Sequence, residues 1–212
     1  YMARKGWTVF PGVRKEADAE KLRKLGDKVH PVMMDVTDTA SVLAAAEEVR
    51  GALGGETLGG LVNNAGVAVT GPAIALPIED FQRQMDINVT GVLRSTQAFA
   101  PLLGTDHELK GPPGRIIQIS SMAGEMGAPF LSAYASSKHA VEGMSKSLRR
   151  ELNPYGIQVI VLGPGAVATP IWEKADDTDI SRYEGSDYWE AMNRLLQYML
   201  KSGPEGFPPS KI

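Results

Sequence analysis

Short apolar runs alternate along the chain with stretches whose apolar positions recur at helical spacing. The strand candidates are WTVF (7–10), VHPVMMD (29–35), LGGLVNN (58–64), GRIIQIS (114–120) and IQVIVLG (157–163). The runs beginning at Gly60, Arg115 and Ile157 are nearly continuous in apolar residues, as expected where helices cover both faces of a sheet. Between them, Thr37 reads as the N-cap of a helix that stops at Gly54 and Gly55. Pro77 to Leu103 reads as one long helix, opened by Glu79 and Asp80 and closing near Pro101. A further helix, 131–153, carries the stripe Val141, Met144, Leu148 and Leu152 and ends at the turn signal NPYG.

This alternation predicts a doubly wound parallel α/β sheet in three α/β/α layers, a single Rossmann-like domain over 1–212. In such sheets ligands bind outside the carboxyl ends of the strands. Small and polar residues stand at those ends: Asp35; Asn63, Asn64, Ala65 and Gly66; Ser120 and Ser121; Gly163, Pro164 and Gly165. Any one of these sets is an ordinary strand terminus, whereas four in a row point to a shared crevice.

Composition narrows the field. The chain has 212 residues, 43% of them hydrophobic and 22% charged, with a formal net charge of -3. That balance lacks the basic footprint of a nucleic-acid binder. There is no cysteine, so disulfides, zinc–thiolate sites and thiol nucleophiles are excluded, and the composition fits a reducing compartment such as the cytoplasm. No apolar run approaches the roughly 20 residues needed to span a bilayer. His30, His107 and His139 are too scattered for a metal site.

Candidate chemistry centres on Tyr134 and Lys138, one helical turn apart with Ala135, Ser136 and Ser137 between them. The spacing alone is weak evidence, because Tyr1 and Lys5 repeat it. Context makes it specific: NNAG at 63–66, NVTG at 88–91, the ISS serine Ser121, and PGAVATP at 164–170, with thirteen positions from Ser121 to Tyr134. In order and spacing these resemble the short-chain dehydrogenase/reductase family over nearly the whole chain.

The resemblance implies an NAD(P)-dependent oxidoreductase that moves a hydride between nicotinamide and a secondary alcohol or ketone. Tyr134 would be the acid/base. A free phenol, with a pKa near 10, is poorly matched to neutral pH, and the Lys138 ammonium is expected to lower that value. The small intervening residues are expected to leave cofactor space. Ser121, favoured over Ser120 by its spacing, would bind the substrate oxygen. Asn88, a poor helix former inside a long helix, would join a proton relay through Lys138 at a local irregularity.

For the cofactor, Asp35 and Val36 would meet the adenine, and Asn63, Ala65 and Gly66 the adenosine side, with Asn63 also bracing the central strand. Pro164, Gly165, Val167 and Thr169 would meet the nicotinamide end, with Tyr134 and Lys138 at its ribose. No acid follows WTVF; Arg14 and Lys15 do, which favours NADP over NAD. Segment 170–203, with Trp172, Tyr183, Tyr188 and Trp189, corresponds to the family's substrate lid, although core packing also accounts for the aromatics. VRKEADAEKL and ISSMAG are most similar to the steroid- and retinol-type branch, which suggests a lipophilic substrate. A homodimer or homotetramer is implied through helices 77–103 and 131–153.

The glycine-rich turn of the family and its first and last strands have no counterpart here. They are expected outside this sequence, with on the order of 20–30 residues before Tyr1, the size of a βα unit. Two rival readings are a non-catalytic nucleotide-binding regulator and a Rossmann-like methyltransferase. The former has no need of Ser121, Tyr134 and Lys138 together. The latter would need an acid at the second strand's end and has no use for the Tyr–Lys pair.

Overall fold

The alternation is realised in the computed structural model, which describes residues 1–169 and 180–211. In chain order the elements are β1 (Gly12–Val13), α1 (Glu16–Arg23), β2 (Val32–Met33), α2 (Thr39–Leu53), β3 (Gly60–Asn63), α3 (Ile78–Met85), α4 (Gly91–Phe99), β4 (Arg115–Ile119), α5 (Ser132–Glu151), β5 (Gln158–Leu162) and α6 (Trp189–Ser202). β1 pairs with β2 in parallel, Gly12 opposite Val32, and a three-stranded sheet runs in the order β3-β4-β5. The chain divides into two compact units. The first is Tyr1–Ala65, Thr90–Ile117 and Leu148–Ile160; the second is Gly66–Val89, Gln118–Ser147 and Val161–Ile212. No helix among the described residues is long and apolar enough to cross a membrane.

The first unit holds two apolar clusters. In one, the stripe Val42, Ala45, Ala46 and Val49 of α2 packs with Val32 of β2 and with Phe99 and Leu102. In the other, Leu103, Leu152 and Ile157 enclose Ile116 of β4 and Val159 of β5. The cap of α2 is Asp38, not Thr37: the Asp38 carboxylate accepts the Ala40 N–H, while the Thr37 hydroxyl donates to Asp35. The helix stops as expected, with Gly54 left-handed at φ 59°.

Two expectations are corrected. WTVF is not a strand. Val9 makes an isolated parallel bridge to Val29, and the ladder resumes only at Gly12–Val13. Pro11 between them has no N–H to offer, although its carbonyl still accepts from Val32 N–H. Pro77–Leu103 is not one α-helix either. Two π turns, Asp86–Thr90 and Pro101–Thr105, separate α3 from α4 and end the run. The first contains Asn88, where an irregularity was expected.

Gly91, the glycine of NVTG, opens α4 beneath Val36. A Cβ there would lie 2.9 Å from both Cβ and Cγ2 of Val36. Gly91→Ala is therefore expected to displace Val36 and to destabilise the protein by about 1–3 kcal/mol, the usual range for overpacking. On a chain of this size each kcal/mol is a fall in Tm of roughly 2–4 °C, readable by differential scanning fluorimetry.

Candidate active site

In the second unit, the residues expected to carry chemistry converge on the amino-terminal half of α5. Ser121 lies just past β4 and caps the short turn Met122–Gly124, its hydroxyl oxygen accepting the Ala123 N–H at 3.1 Å. Ser121 acts on the Tyr134 phenol, favouring its ionised form. The Ser120 side chain is buried, with no hydrogen-bond partner among the described residues.

Lys138 lies on the same side of α5 as Tyr134, its Nζ 5.7 Å from the ring centroid. The ammonium is buried at 7% exposure and donates to the Ile119 carbonyl at 2.8 Å. Burial disfavours its charge and lowers its pKa from 10.5 to about 8. Burial likewise raises the Tyr134 pKa, opposed only in part by Ser121. The expected lowering of the phenol by the lysine is thus absent from this arrangement. Desolvation dominates, and the ammonium is turned to the strand carbonyl. The small residues beside the pair are also differently placed. Ala135 and Ser137 are buried against protein, and Ser136 alone of the three is exposed.

Asn88 is buried at 1% exposure, and its amide is saturated. Its Oδ1 accepts Val67 N–H at 2.9 Å, while its Nδ2 donates to Val67 O at 3.0 Å and to Ser137 Oγ at 3.1 Å. Gln84, one turn earlier, repeats the pattern, accepting from Val69 N–H and donating to Val67 O, both at 2.7 Å. The two amides clamp the loop that follows NNAG. Gln84 and Ser137 were not singled out from the sequence. The four-residue spacing of Gln84 and Asn88, two amides on one face of a helix, was the available signal.

Around Ser121, Met122 N–H donates to Pro164 O at 3.1 Å, and a Cβ on Gly165 would lie 3.3 Å from Met122 Sδ. Pro164 and Gly165 therefore border the serine. Val167 bridges to Phe207, Thr169 is half-buried and Gly66 is exposed. Tyr183, expected in a lid, is 6% exposed and packs with Ile180, Met192, Phe130 and Trp189. Core packing accounts for it. Tyr188 meets Phe130 edge-on. Trp172 and Pro170 lie outside the described residues.

In the first unit, Val36, Asn63 and Ala65 line one cavity of about 600 Å³, together with Gly12 and Gly91. Asn63 donates to Thr96 Oγ1 at 3.1 Å, which braces β3 as expected. The Asp35 carboxylate accepts from both the N–H and the hydroxyl of Thr37, and these bonds, with the nearby Arg14 guanidinium, lower its pKa. Arg14 itself is exposed. Arg14 and Asp35 lie outside the lining of that cavity.

A family profile described as short chain dehydrogenase matches residues 1–180. The NADPH-dependent 3-dehydrocapnine reductase of Ornithobacterium rhinotracheale is 43% identical over 192 residues, 90% of this chain and 67% of that protein. The 17-beta-hydroxysteroid dehydrogenase type 6 of Bos taurus is 37% identical over 212 residues, 93% of this chain and 65% of that protein. Among solved structures, a short chain dehydrogenase/reductase from Burkholderia phymatum in complex with NAD superposes with a TM-score of 0.75 at 26% identity, covering 92% of this chain and 70% of the other. The chain thus spans about two thirds of the length of each.

The buried lysine sets a sign for stability against pH. The folded form loses its Lys138 proton near pH 8, whereas the unfolded chain keeps it to about 10.5. Between these values the unfolded state binds more protons, so stability is expected to rise with pH. Urea titrations at pH 7, 9 and 10.5 should show that rise, and Lys138→Met should flatten it.

Proposed function

The chain belongs to the short-chain dehydrogenase family, and we propose that it forms the catalytic core of an NAD(P)-dependent oxidoreductase acting on a secondary alcohol or ketone. The observation that carries this reading is Lys138, buried on the same side of α5 as Tyr134, with Ser121 acting on the phenol. A bound nicotinamide dinucleotide would supply or take the hydride.

The chain's own residues would do the rest. Ser121 acts on the Tyr134 phenol, and the two hydroxyls would share one substrate oxygen. Ser121 would donate to that oxygen as charge builds on it, and Tyr134 would deliver or remove its proton. Because burial holds the phenol protonated, the tyrosine is suited to donating a proton in the reductive direction. Lys138 has three N–H donors, of which Ile119 takes one, leaving two for a ribose and a proton path. With the Asn88 amide saturated, any relay through that residue would use its main-chain carbonyl in the π turn.

Within the first unit, Arg14, Asp35, Val36, Asn63 and Ala65 would hold the adenosine end. Within the second, Gly66, Pro164, Gly165, Val167 and Thr169 would serve the remainder. We favour NADP, because Arg14 is exposed and no acid stands at that strand end. The NADPH-dependent reductase relative supports this preference, whereas the NAD-bound structural neighbour supports the alternative. A lipophilic substrate is favoured by exposed Met122 and Met126 beside Ser121, and by the steroid dehydrogenase relative. Segment 170–203 is proposed as the lid, and a homodimer or homotetramer as the assembly.

In the full-length protein, a panel of ketones with NADPH and NADH, followed at the absorbance of the reduced nicotinamide, tests the reading. Tyr134→Phe should lower kcat by about 10²–10⁴, the usual contribution of acid–base catalysis. Undiminished turnover in that variant would remove the mechanism. Arg14→Ala should raise the KM for NADPH about tenfold while leaving that for NADH within twofold, as expected for loss of one charge-assisted phosphate contact worth roughly 1.4 kcal/mol.

A further inference from the structure

We propose that Ser137 is a positioning residue that locks the Tyr134–Lys138 pair to the π turn at Asn88. This rests on the reading of that pair as the reaction centre. Ser137 is fully buried, at 0% exposure, on the turn of α5 between the two. Its hydroxyl donates to the Tyr134 carbonyl at 2.7 Å and accepts from Asn88 Nδ2 at 3.1 Å.

The Tyr134 carbonyl is not an arbitrary acceptor. In an α-helix it is the group that accepts the backbone N–H four residues on, which is that of Lys138. Ser137 therefore bonds the peptide oxygen that already couples the two reactive residues. A serine hydroxyl added to such a carbonyl bends a helix locally. Here the same hydroxyl is anchored on its other side. Asn88 holds it, and Asn88 is itself fixed by a two-point pairing with the Val67 peptide.

The chain of bonds runs from the loop after NNAG, through the π turn, to the backbone of the phenol-bearing residue, with one hydroxyl as the only side-chain link in α5. Removing that hydroxyl leaves a buried Asn88 N–H without its acceptor and frees the Tyr134 carbonyl to relax toward ordinary helix geometry. The fold keeps its apolar clusters, none of which includes Ser137. The loss should therefore appear in the placement of Tyr134 and Lys138 more than in global stability.

An internal control lies two turns along. Ser145 is also at 0% exposure, and its hydroxyl donates to the Val141 carbonyl at 2.6 Å, within the helix alone. The test compares Ser137→Ala, Ser137→Thr and Ser145→Ala in the full-length protein. It reads kcat, KM for the ketone, the pH profile of kcat and Tm.

Ser137→Ala should lower kcat tenfold or more with KM within twofold, and should shift the ionisation seen in the kcat profile by half a pH unit or more. Ser145→Ala should leave kcat and the profile at parental values, and Ser137→Thr, which keeps the hydroxyl, should recover most of the loss. If Ser137→Ala does not fold, Ser137→Cys, close in volume but a weak hydrogen-bonding partner, is read by the same criteria. Equal effects of Ser137→Ala and Ser145→Ala, or a parental kcat in Ser137→Ala, would overturn the inference. The two readings fail separately. Activity retained in Tyr134→Phe removes the reaction centre itself, whereas a dead Tyr134→Phe with a silent Ser137→Ala removes only the role given to Ser137.

Discussion

A buried ammonium facing a neutral carbonyl is the constraint around which the second unit is arranged. Lys138 sits at 7% exposure with the Ile119 carbonyl as its acceptor. Burying a charge without a counter-charge is costly. The fold tolerates it by holding the lysine half ready to lose its proton. That arrangement requires α5 to lie close to the end of β4. One hydrogen bond, from Asn88 Nδ2 to Ser137 Oγ, ties that helix to the π turn.

The same environment acts on the phenol in the opposite sense from the lysine's charge. Desolvation raises the Tyr134 pKa while it lowers that of Lys138. The two groups are thus driven toward their neutral forms together. A hydroxyl kept protonated at neutral pH is a competent donor, and an amine poised near 8 can return a proton within the same range. This is a different account of the pair from simple electrostatic activation of a phenolate. It arises from burial, which spacing along a helix does not reveal.

Much of this was legible in the sequence, and the remainder has definite physical reasons. The order of strands and helices followed from hydrophobic period, and Asn88 marked its own π turn by being an asparagine where a helix former was expected. Ser121 was separable from Ser120 by spacing, and Ser121 is also the one that acts on the Tyr134 phenol. What failed was what depends on a single backbone donor or a three-dimensional neighbour. Pro11 broke a strand that its apolar residues advertised. Asp38 took the cap from Thr37 because the Thr37 hydroxyl is engaged by Asp35. Tyr183 joined a local core rather than an open lid. Gln84 was missed because an amide on a helix reads as surface until its partner is known, and Ser137 was read only as one of the small residues leaving cofactor space.

Gln118 and Ser120 flank the carbonyl that receives the lysine, and both side chains are buried without a hydrogen-bond partner. Such orphans weaken a protein, and exchanging them for apolar groups of similar shape is commonly neutral or stabilising. The terminal part of β4 is therefore a place where robustness has been forgone beside Lys138. A paired exchange such as Gln118→Met with Ser120→Ala offers a route to a hardier protein that leaves Ser121, Tyr134 and Lys138 in place.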